Sequence, residues 1–451
     1  MKSILILRTF KARIYLVLIS TFSFLVLFLP GTGFARIFID INDPAIPKLK
    51  IAIPNFINWS AQNSNPELEE DLTRVVTRDL DFSGYFLPME KESFIEEQGR
   101  TITSNNIVFR NWSVIGADLL LKGGYTCIGR SIEIEARLYD VVTGRQILGK
   151  RLLGKAASYR ELMHRLGNEI IKALTGQEGM FLSKLAFVGK KNGQKEIFLS
   201  DYDGFGYKPI TSDQSLALSP CWSPQGDKIV YTSYREGSPM IYLRDMKSGN
   251  DQRISSRKGL NIGATWAPDG QRLAVTLSYK DNPDIYLVDL KGKIIKQLTN
   301  HWGIDVSPSF SPDGNKIAYV SNRSGNPQIY IKDLQNGRGE RVTYEGKYNT
   351  SPDWSSRNRI VFAGMHDGLC DIFSMEADGR DLRQLTEESG FNEDPCWSPD
   401  GRYIVFSSNR DGGYHLYLMN ANGQNQRRIT FIKGMEETSP SWSVFDFMRF
   451  F

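Results

Sequence analysis

Residues 149–155 have the spacing of a phosphate-binding loop, with Gly149, Gly154 and Lys155 at the positions that such loops require. In these loops the backbone N–H groups and the lysine hold phosphate oxygens, and a following Ser or Thr binds magnesium. Here Ala156 stands in place of that Ser or Thr. The residues between the two glycines are bulky and belong to a predicted strand, so we do not expect the segment to bind a nucleotide.

Histidine and acidic side chains suggest other chemistries, but none of them completes a catalytic pattern. His164, His301, His366 and His415 are too far apart in the chain for the H-E-x-x-H pattern of a zinc site, and no G-x-S-x-G nucleophile motif is present. Residues 201–204 resemble the start of a calcium loop but lack the later ligands, which predicts a turn. We therefore predict no catalytic residue, metal site or cofactor.

A repeat positions most of these side chains. One pattern, typified by Ser-Pro-Cys-Trp-Ser-Pro, occurs six times, and its aromatic residues are separated by 44, 44, 44, 43 and 45 positions. A regular spacing of this length is the mark of a repeat architecture. The six aromatic residues are Trp222, Trp266, Phe310, Trp354, Trp397 and Trp442.

Each repeat is predicted to contain four short strands. After Phe310, a turn at 312–314 leads to the apolar run 316–320, and the polar turn 322–325 leads to the run 328–331. Alternating apolar residues between turns rich in Gly, Asn and Asp are hairpin signals. Four strands in one such unit are typical of a β-propeller blade, and the repeated ring is expected to pack between blades.

The two ends of the repeat region complement each other. Strands at 185–188, 196–199 and 209–211 lack a first strand, whereas the motif at 439–443 is a first strand with no blade after it. Joining them makes six complete blades and removes the exposed edges. The sequence therefore predicts a six-bladed β-propeller over residues 179–451, closed by the C-terminal strand.

Residues 36–178 are predicted to form a separate α/β domain that begins with an arm at 36–48. One helix is expected to start at Pro66, capped by Asn65, because acidic residues in the first turn favour its positive end. A second helix is expected after Ser158, which would form a capping box with Glu161. The strands of this domain are expected at 50–53, 119–124, 132–139 and 146–153.

Residues 1–35 have the pattern of a secretory signal peptide cleaved after Ala35. Four basic residues precede sixteen uncharged ones, a run shorter than the ~20 residues of a membrane span; an uncleaved anchor is the alternative. The leader holds four of the 55 Lys and Arg residues and none of the 51 Asp and Glu residues, so the net charge of +4 falls to zero without it. This balance argues against a general binder of nucleic acid or anionic membranes.

The four cysteines are expected to be free thiols, although an exported protein enters an oxidising compartment. Cys221 and Cys396 occupy the same position in non-adjacent repeats, which places them beyond the roughly 7 Å between Cα atoms that a disulfide can span. Cys127 lies in the other domain. A bridge between Cys370 and Cys396 stays open as an alternative.

Several segments occur together across almost the whole chain after the leader: residues 81–86, residues 174–176 with Gly179 and Phe181, residues 200–204, and the Trp-Ser-Pro motifs as far as Trp442-Ser443. Through these segments the chain resembles the TolB family, the periplasmic component of the Tol-Pal envelope system. Two turns depart from the family pattern: Val444 replaces a Pro, and residues 356–358 read Ser-Arg-Asn where Pro-Asp-Gly is typical. These departures affect local turns and not the fold.

The resemblance implies a monomeric adaptor without enzymatic activity, which supports outer-membrane integrity and envelope constriction during cell division. It would bind the lipoprotein Pal through the propeller rim and the inner-membrane protein TolA through the arm. The implied TolA-binding residues are Arg36, Ile37, Phe38, Ile39 and Asp40. The implied Pal-facing residues lie just before or at the start of the six aromatic motifs and are Leu218, Asn261, Gly263, Ala264, Asp305, Val306, Asn349, Thr350, Asn392, Glu393, Glu437 and Thr438.

Two other functions stay open at this point. A propeller can bind a small ligand in its central channel, which would require polar residues lining a pocket. A hydrolase or lyase would require a cluster of acidic and basic side chains in one cleft.

Overall fold

The structure, a computed structural model, describes residues 48–60, 66–95, 101–280, 282–366 and 368–444. The predicted leader, the helix cap Asn65 and all of the predicted arm except Lys48 lie outside the described residues.

The N-terminal domain contains a mixed sheet with helices packed against it. The strand order is β3-β1-β4-β5-β6, with β1 parallel to β3 and β4, the pairs β4–β5 and β5–β6 antiparallel, and β2 paired in parallel with β4. The predicted strands and both predicted helices are present. The elements are β1 Leu49–Ala52, β2 Ile57–Asn58, α1 Pro66–Phe82, β3 Phe86–Pro88, α2 Phe109–Val114, β4 Leu119–Ile128, β5 Ser131–Asp140, β6 Gln146–Lys155 and α3 Tyr159–Thr175.

Both faces of this sheet are buried, as the pleat of β4 shows. Leu119 and Leu121 point into the core that contains α1 and α3, whereas Leu120 points into a second cluster with Trp112 and Tyr139. Successive residues of a strand point to opposite faces, so one strand supplies both cores. The sheet therefore gives the two helices a rigid base.

The capping box predicted at the start of α3 is wrong. Ser158 precedes the helix, but its side chain makes no capping hydrogen bond. The chain enters α3 through the single 3₁₀ turn Ala156–Ser158, and the side chain of Glu161 instead pairs with Arg165 one turn later. An i, i+4 ion pair on the surface competes for the glutamate that a capping box needs.

The rest of the described chain forms six four-stranded sheets, which confirms the predicted six-bladed propeller. The sixth blade combines β30 with β7, β8 and β9, so the C-terminal strand closes the ring. The blades, in order, are formed by β10 Ala217–Trp222, β11 Lys228–Ser233, β12 Met240–Asp245 and β13 Asp251–Ser255; β14 Asn261–Trp266, β15 Arg272–Leu277, β16 Asp284–Asp289 and β17 Ile294–Gln297; β18 Asp305–Phe310, β19 Lys316–Ser321, β20 Gln328–Asp333 and β21 Gly339–Arg341; β22 Tyr348–Trp354, β23 Arg359–His366, β24 Leu369–Glu376 and β25 Arg383–Gln384; β26 Asn392–Trp397, β27 Tyr403–Ser408, β28 His415–Asn420 and β29 Arg427–Arg428; and β30 Glu436–Trp442, β7 Lys184–Lys191, β8 Gln194–Asp201 and β9 Lys208–Pro209.

The repeated aromatic residues pack between blades, as the sequence predicts. All six are buried, with exposed fractions of 8% or less. The indole Nε1 of Trp266 donates to the carbonyl of Cys221 in the preceding blade at 3.1 Å, and that of Trp397 donates to the carbonyl of Asp353 at 3.1 Å. A large ring that also carries one donor can fill the space between two sheets and fix their register.

Candidate functional site

The loops before the first strands lie on one face of the ring, here called the rim face, because all six first strands run in the same direction. Five of the predicted rim residues are the first or second residue of these strands, and they are fully buried. They occupy the same position in five blades. These residues are Asn261, Asp305, Asn349, Asn392 and Glu437.

These five side chains hydrogen-bond to their own blade or to the preceding one, and four of them reach the preceding blade: Asn261, Asn349, Asn392 and Glu437. Asn349 donates to Gln328 Oε1 at 2.8 Å, and the carboxylate of Asp305 accepts from Arg323 at 2.7 Å. Glu437 accepts from Thr430 Oγ1 at 2.9 Å. Because breaking a buried hydrogen bond is costly, these contacts fix the strand starts and leave the side chains little freedom to meet a partner. Their assignment to partner binding stays a prediction.

The remaining predicted rim residues fall into two groups. Five of them are one residue further along the first strand and are partly exposed: Leu218, Val306, Thr350, Glu393 and Thr438. Gly263 and Ala264 lie deeper and line the central channel. The twelve predicted residues therefore form a buried ring, a half-exposed ring and part of the channel wall.

Exposed aromatic side chains on the same face were missed by the sequence reasoning. Trp302, Tyr344 and Phe431 are 68%, 75% and 74% exposed and lie in the loops that lead into the third, fourth and sixth blades. Tyr348 and Leu369 are also exposed on this face. The signal that could have found them is a large apolar residue between the fourth-strand Thr of one blade and the first strand of the next. Aromatic residues exposed in loops are frequent anchors of protein–protein interfaces.

The α/β domain packs on the opposite face of the ring. It contacts the turn between the first and second strands of the fifth blade, through Arg402, and the loop after β8 of the sixth blade, through Tyr202. These connections lie at the far ends of the strands from the rim loops. In the described chain, the aromatic rim loops are thus left uncovered by this domain.

A buried ionic cluster joins α1, α3 and the sixth blade. Asp79 accepts hydrogen bonds from His164 Nδ1 at 2.9 Å and from Tyr202 Oη at 2.6 Å, and all three side chains are buried. Burial by itself lowers the pKa of His164, but the charge and hydrogen bond of Asp79 outweigh it and raise the pKa above its ordinary value. Burial also raises the pKa of Asp79.

This cluster does not fit a metal ion, although His164, Asp201 and Asp203 bring their ligand atoms within 4.8 Å of one another. Arg160 donates to Asp203 at 2.6 Å, Lys184 pairs with Asp201, and His164 pairs with Asp79. Protein cations already neutralise each carboxylate and would repel a further cation. The predicted turn at 201–204 is present, with Gly204 at φ 79°. The ionic cluster thus serves to hold the α/β domain against the propeller.

The central channel encloses about 200 Å³ and is lined by the first strands of the six blades. Its acidic side chains are held by neighbouring strands. Asp394 accepts from the hydroxyls of Ser351 at 3.1 Å and Ser439 at 2.7 Å. Burial raises the pKa of Asp353 to about 6. The backbone N–H of Trp397 donates to the Asp353 carboxylate at 2.8 Å.

The four cysteines are free. Cys221 and Cys396 both line the channel. Burial raises the pKa of Cys221 to about 11 and that of Cys370 to about 12. Thiols with raised pKa values stay protonated near neutral pH and are poor nucleophiles, so these side chains serve as small packing residues.

Comparison with protein families decides which family shares this architecture. Residues 171–446 match the model described as the TolB beta propeller domain, and residues 37–147 match the TolB amino-terminal domain. The chain belongs to the TolB family. Membership accounts for the α/β domain, the six blades and the closing strand, which the sequence reasoning predicted.

Curated relatives of this TolB-family protein carry the name Tol-Pal system protein TolB. The protein of Desulfosudis oleivorans is 39% identical over 211 residues, which is 46% of this chain and 48% of that protein. The protein of Syntrophotalea carbinolica is 40% identical over 193 residues, 43% of this chain and 45% of that protein. Each match thus spans about half the length of the relative.

A solved structure extends the likeness to nearly the full length. The crystal structure of TolB from Acinetobacter baumannii matches with a TM-score of 0.77 and 28% identity, covering 88% of this chain and 98% of that chain. Within the described residues of this TolB-family protein, no helix is both long enough and apolar enough to cross a membrane.

Proposed function

We propose that this protein is a periplasmic, non-enzymatic adaptor of the Tol-Pal system, exported by a leader cleaved after Ala35. It binds Pal with the rim face and TolA with the arm, and in this way supports outer-membrane integrity and envelope constriction during cell division. The observation that carries the proposal is the set of exposed aromatic residues on the rim face, opposite the face that the α/β domain covers. Family membership supports the partner choice.

The rim face suits a protein partner better than a small ligand. The ring centroids of Trp302 and His301 lie 5.4 Å apart with the two planes tilted by 43°, and the guanidinium of Arg428 lies 4.9 Å from the ring centroid of Phe431. These contacts hold the rings in place before a partner arrives, which lowers the entropy lost on binding. The half-exposed residues Leu218, Val306 and Thr350 lie further in, near the channel mouth, and would complete the contact surface.

Replacing Trp302, Tyr344 and Phe431 together by Ala is expected to weaken binding of the soluble domain of Pal about 30-fold or more. Aromatic hot spots each contribute about 2 kcal/mol or more at the centre of an interface. Isothermal titration calorimetry measures the change. The matched control is Val114→Ala, Val142→Ala and Leu153→Ala, three residues of the α/β domain that are 70–81% exposed. Equal affinity of the rim variant and wild type would sink the proposed Pal surface.

Deleting residues 36–43 is expected to abolish binding of the periplasmic domain of TolA and to leave Pal binding intact. The arm carries the apolar residues Ile37, Phe38 and Ile39, which can switch between docked and free states at low energetic cost. Surface plasmon resonance with both partners separates the two activities. A chain with 36–43 replaced by Gly and Ser of equal length controls for linker length, and unchanged TolA binding in either variant contradicts the assignment.

The alternative functions have less support. The channel, at about 200 Å³, is smaller than the roughly 300–1,000 Å³ of most ligand pockets. Two described clusters contain both a histidine and a carboxyl group of raised pKa. The cluster around Asp79 and His164 is sealed between the domains and leaves no path for a substrate. In the other, the carboxylate of Glu437, which is bonded to His415 and Thr430, is also fully buried.

A further inference from the structure

A large cleft lies between the outer parts of the third and fourth blades, away from both the channel and the α/β domain. It encloses about 1050 Å³. It extends from the turn at Arg357, on the face that carries the first-to-second turns, to Tyr344 in a rim loop. It therefore crosses the side of the propeller along the full length of the short strands, which suits an extended chain better than a compact ligand.

The cleft carries an excess of positive charge. Four acidic side chains line it, of which Glu376 and Asp378 pair with Arg380. Six basic side chains line it, namely Lys316, Arg338, Arg341, Arg357, Arg359 and Arg380. Of the two remaining acidic groups, Asp333 accepts the backbone N–H groups of its own turn. The side chains that line the cleft thus carry a net charge of +2.

Four of these cations have no carboxylate within 4.0 Å in the described part of the chain: Lys316, Arg338, Arg341 and Arg357. Arg341 donates to the carbonyl of Thr343, and Arg357 donates to the carbonyl of Asp400 at 2.8 Å. These neutral acceptors orient the two guanidinium groups without neutralising them. Oriented, unneutralised arginines are suited to binding carboxylates.

The repeat pattern breaks at this cleft. Arg357 stands three residues after the repeated aromatic, where the neighbouring blades have Asp313 and Asp400. The sign of the charge is thus reversed in this one blade. Asn358 takes the left-handed backbone conformation with φ 60°, and its side chain accepts from Trp354 Nε1 at 3.0 Å. In the fifth blade the corresponding indole donates to the preceding blade instead. At the cleft this indole hydrogen bond across the boundary is absent, and the backbone N–H of Trp354 still donates to Ser309 Oγ of the third blade at 3.0 Å.

The outer wall of the cleft includes a sheet edge. β21 is the outermost strand of the third blade, and two of its residues, Glu340 and Arg341, line the cleft. An edge strand offers backbone groups that can pair with an incoming extended chain. This feature favours a peptide over a polysaccharide or a lipid headgroup.

We propose that this cleft binds an extended acidic peptide segment of another protein. Carboxylates of the segment lie against Arg338, Arg341, Arg357 and Lys316, and its main chain lies along the edge of β21. The site shares Tyr344 with the proposed Pal surface, and its other lining residues lie outside that surface.

Fluorescence anisotropy of a fluorescein-labelled (Glu-Thr)₅ peptide tests the proposal with the mature chain. We expect saturable binding at low salt, weakened by 200 mM NaCl, and no binding of a (Lys-Thr)₅ peptide. The double variant Arg338→Glu/Arg357→Glu should weaken binding at least fivefold, and Arg338→Gln/Arg357→Gln should act in the same direction. Both positions are exposed, so the fold should survive, which thermal unfolding checks.

The matched control is Lys247→Glu/Lys291→Glu, which changes the same charge in the third-to-fourth loops of the first and second blades. This variant should bind the acidic peptide like wild type. Absence of saturable binding to the wild type would overturn the proposal. An equal loss of peptide affinity in Arg338→Glu/Arg357→Glu and in the control Lys247→Glu/Lys291→Glu would also overturn it. Cleft-dependent binding of polygalacturonate without binding of the peptide would also overturn it, by identifying a polysaccharide site.

Discussion

Replacing Arg402 by Met is expected to lower the free energy of unfolding by about 3–5 kcal/mol, because it removes one partner from a buried charged network. Arg402 is only 3% exposed. From the fifth blade it donates to Tyr85 Oη at 2.8 Å, to Gln177 Oε1 at 3.0 Å and to the carbonyl of Glu178 at 2.9 Å. One guanidinium therefore joins the α/β domain, the segment after α3 and the propeller.

Urea unfolding of the mature chain measures this effect, and limited proteolysis between the domains shows whether they separate. The control is Arg380→Met. That guanidinium is highly exposed and pairs only with surface carboxylates, so its loss should cost less than about 1 kcal/mol. Similar losses in the two variants would show that Arg402 is not a special contact between the domains.

Replacing His164 by Ala is expected to have an effect of the same size, about 3–5 kcal/mol, because it leaves the carboxylate of Asp79 buried without its cation. Tyr202 would remain as a single hydrogen-bond donor to Asp79 at 2.6 Å. A double-mutant cycle with Asp79→Asn should recover part of the loss, since the amide carries no charge to compensate. Additive losses in the cycle would contradict direct coupling of the two residues.

The stability conferred by His164 is also expected to depend on pH. In the folded chain the pKa of His164 lies above its ordinary value of about 6.5. Its contribution to the free energy of unfolding is therefore full below pH 6.5, the value for the unfolded chain, and is lost as the pH rises through the folded pKa. The raised pKa of Asp79 acts in the same direction. The groups that face the pair are Tyr202, Arg160 and Asp203.

Unfolding free energies measured from pH 5.5 to 8.5 test this sign. Wild type should lose stability across the range, and His164→Ala should show a flatter profile. His301→Ala, a change in a rim loop, should keep the wild-type slope. A wild-type profile that rises with pH would contradict the assignment.

Much of the architecture could be predicted because it repeats. The aromatic residue recurs at Trp222, Trp266 and onward at nearly constant spacing, and each recurrence reports the same local packing. The unmatched strands at the two ends of the repeat region then required closure through β30 and β7. Local signals were weaker at single positions: Ser158 and Glu161 match a capping box in sequence, yet a surface ion pair takes the glutamate.

The sequence alone determined the number of blades, the closing strand and the α/β domain. The physical reason is that residues buried at equivalent positions recur at regular intervals along the chain. Only the tertiary structure decided which polar rim residues are buried, that Asp79 meets Tyr202 across 123 positions of chain, and that Arg357 and Arg338 share one cleft. These properties depend on distances between residues remote in the chain. Spacing along a sequence reports the face on which a side chain lies, and only packing determines what stands opposite it.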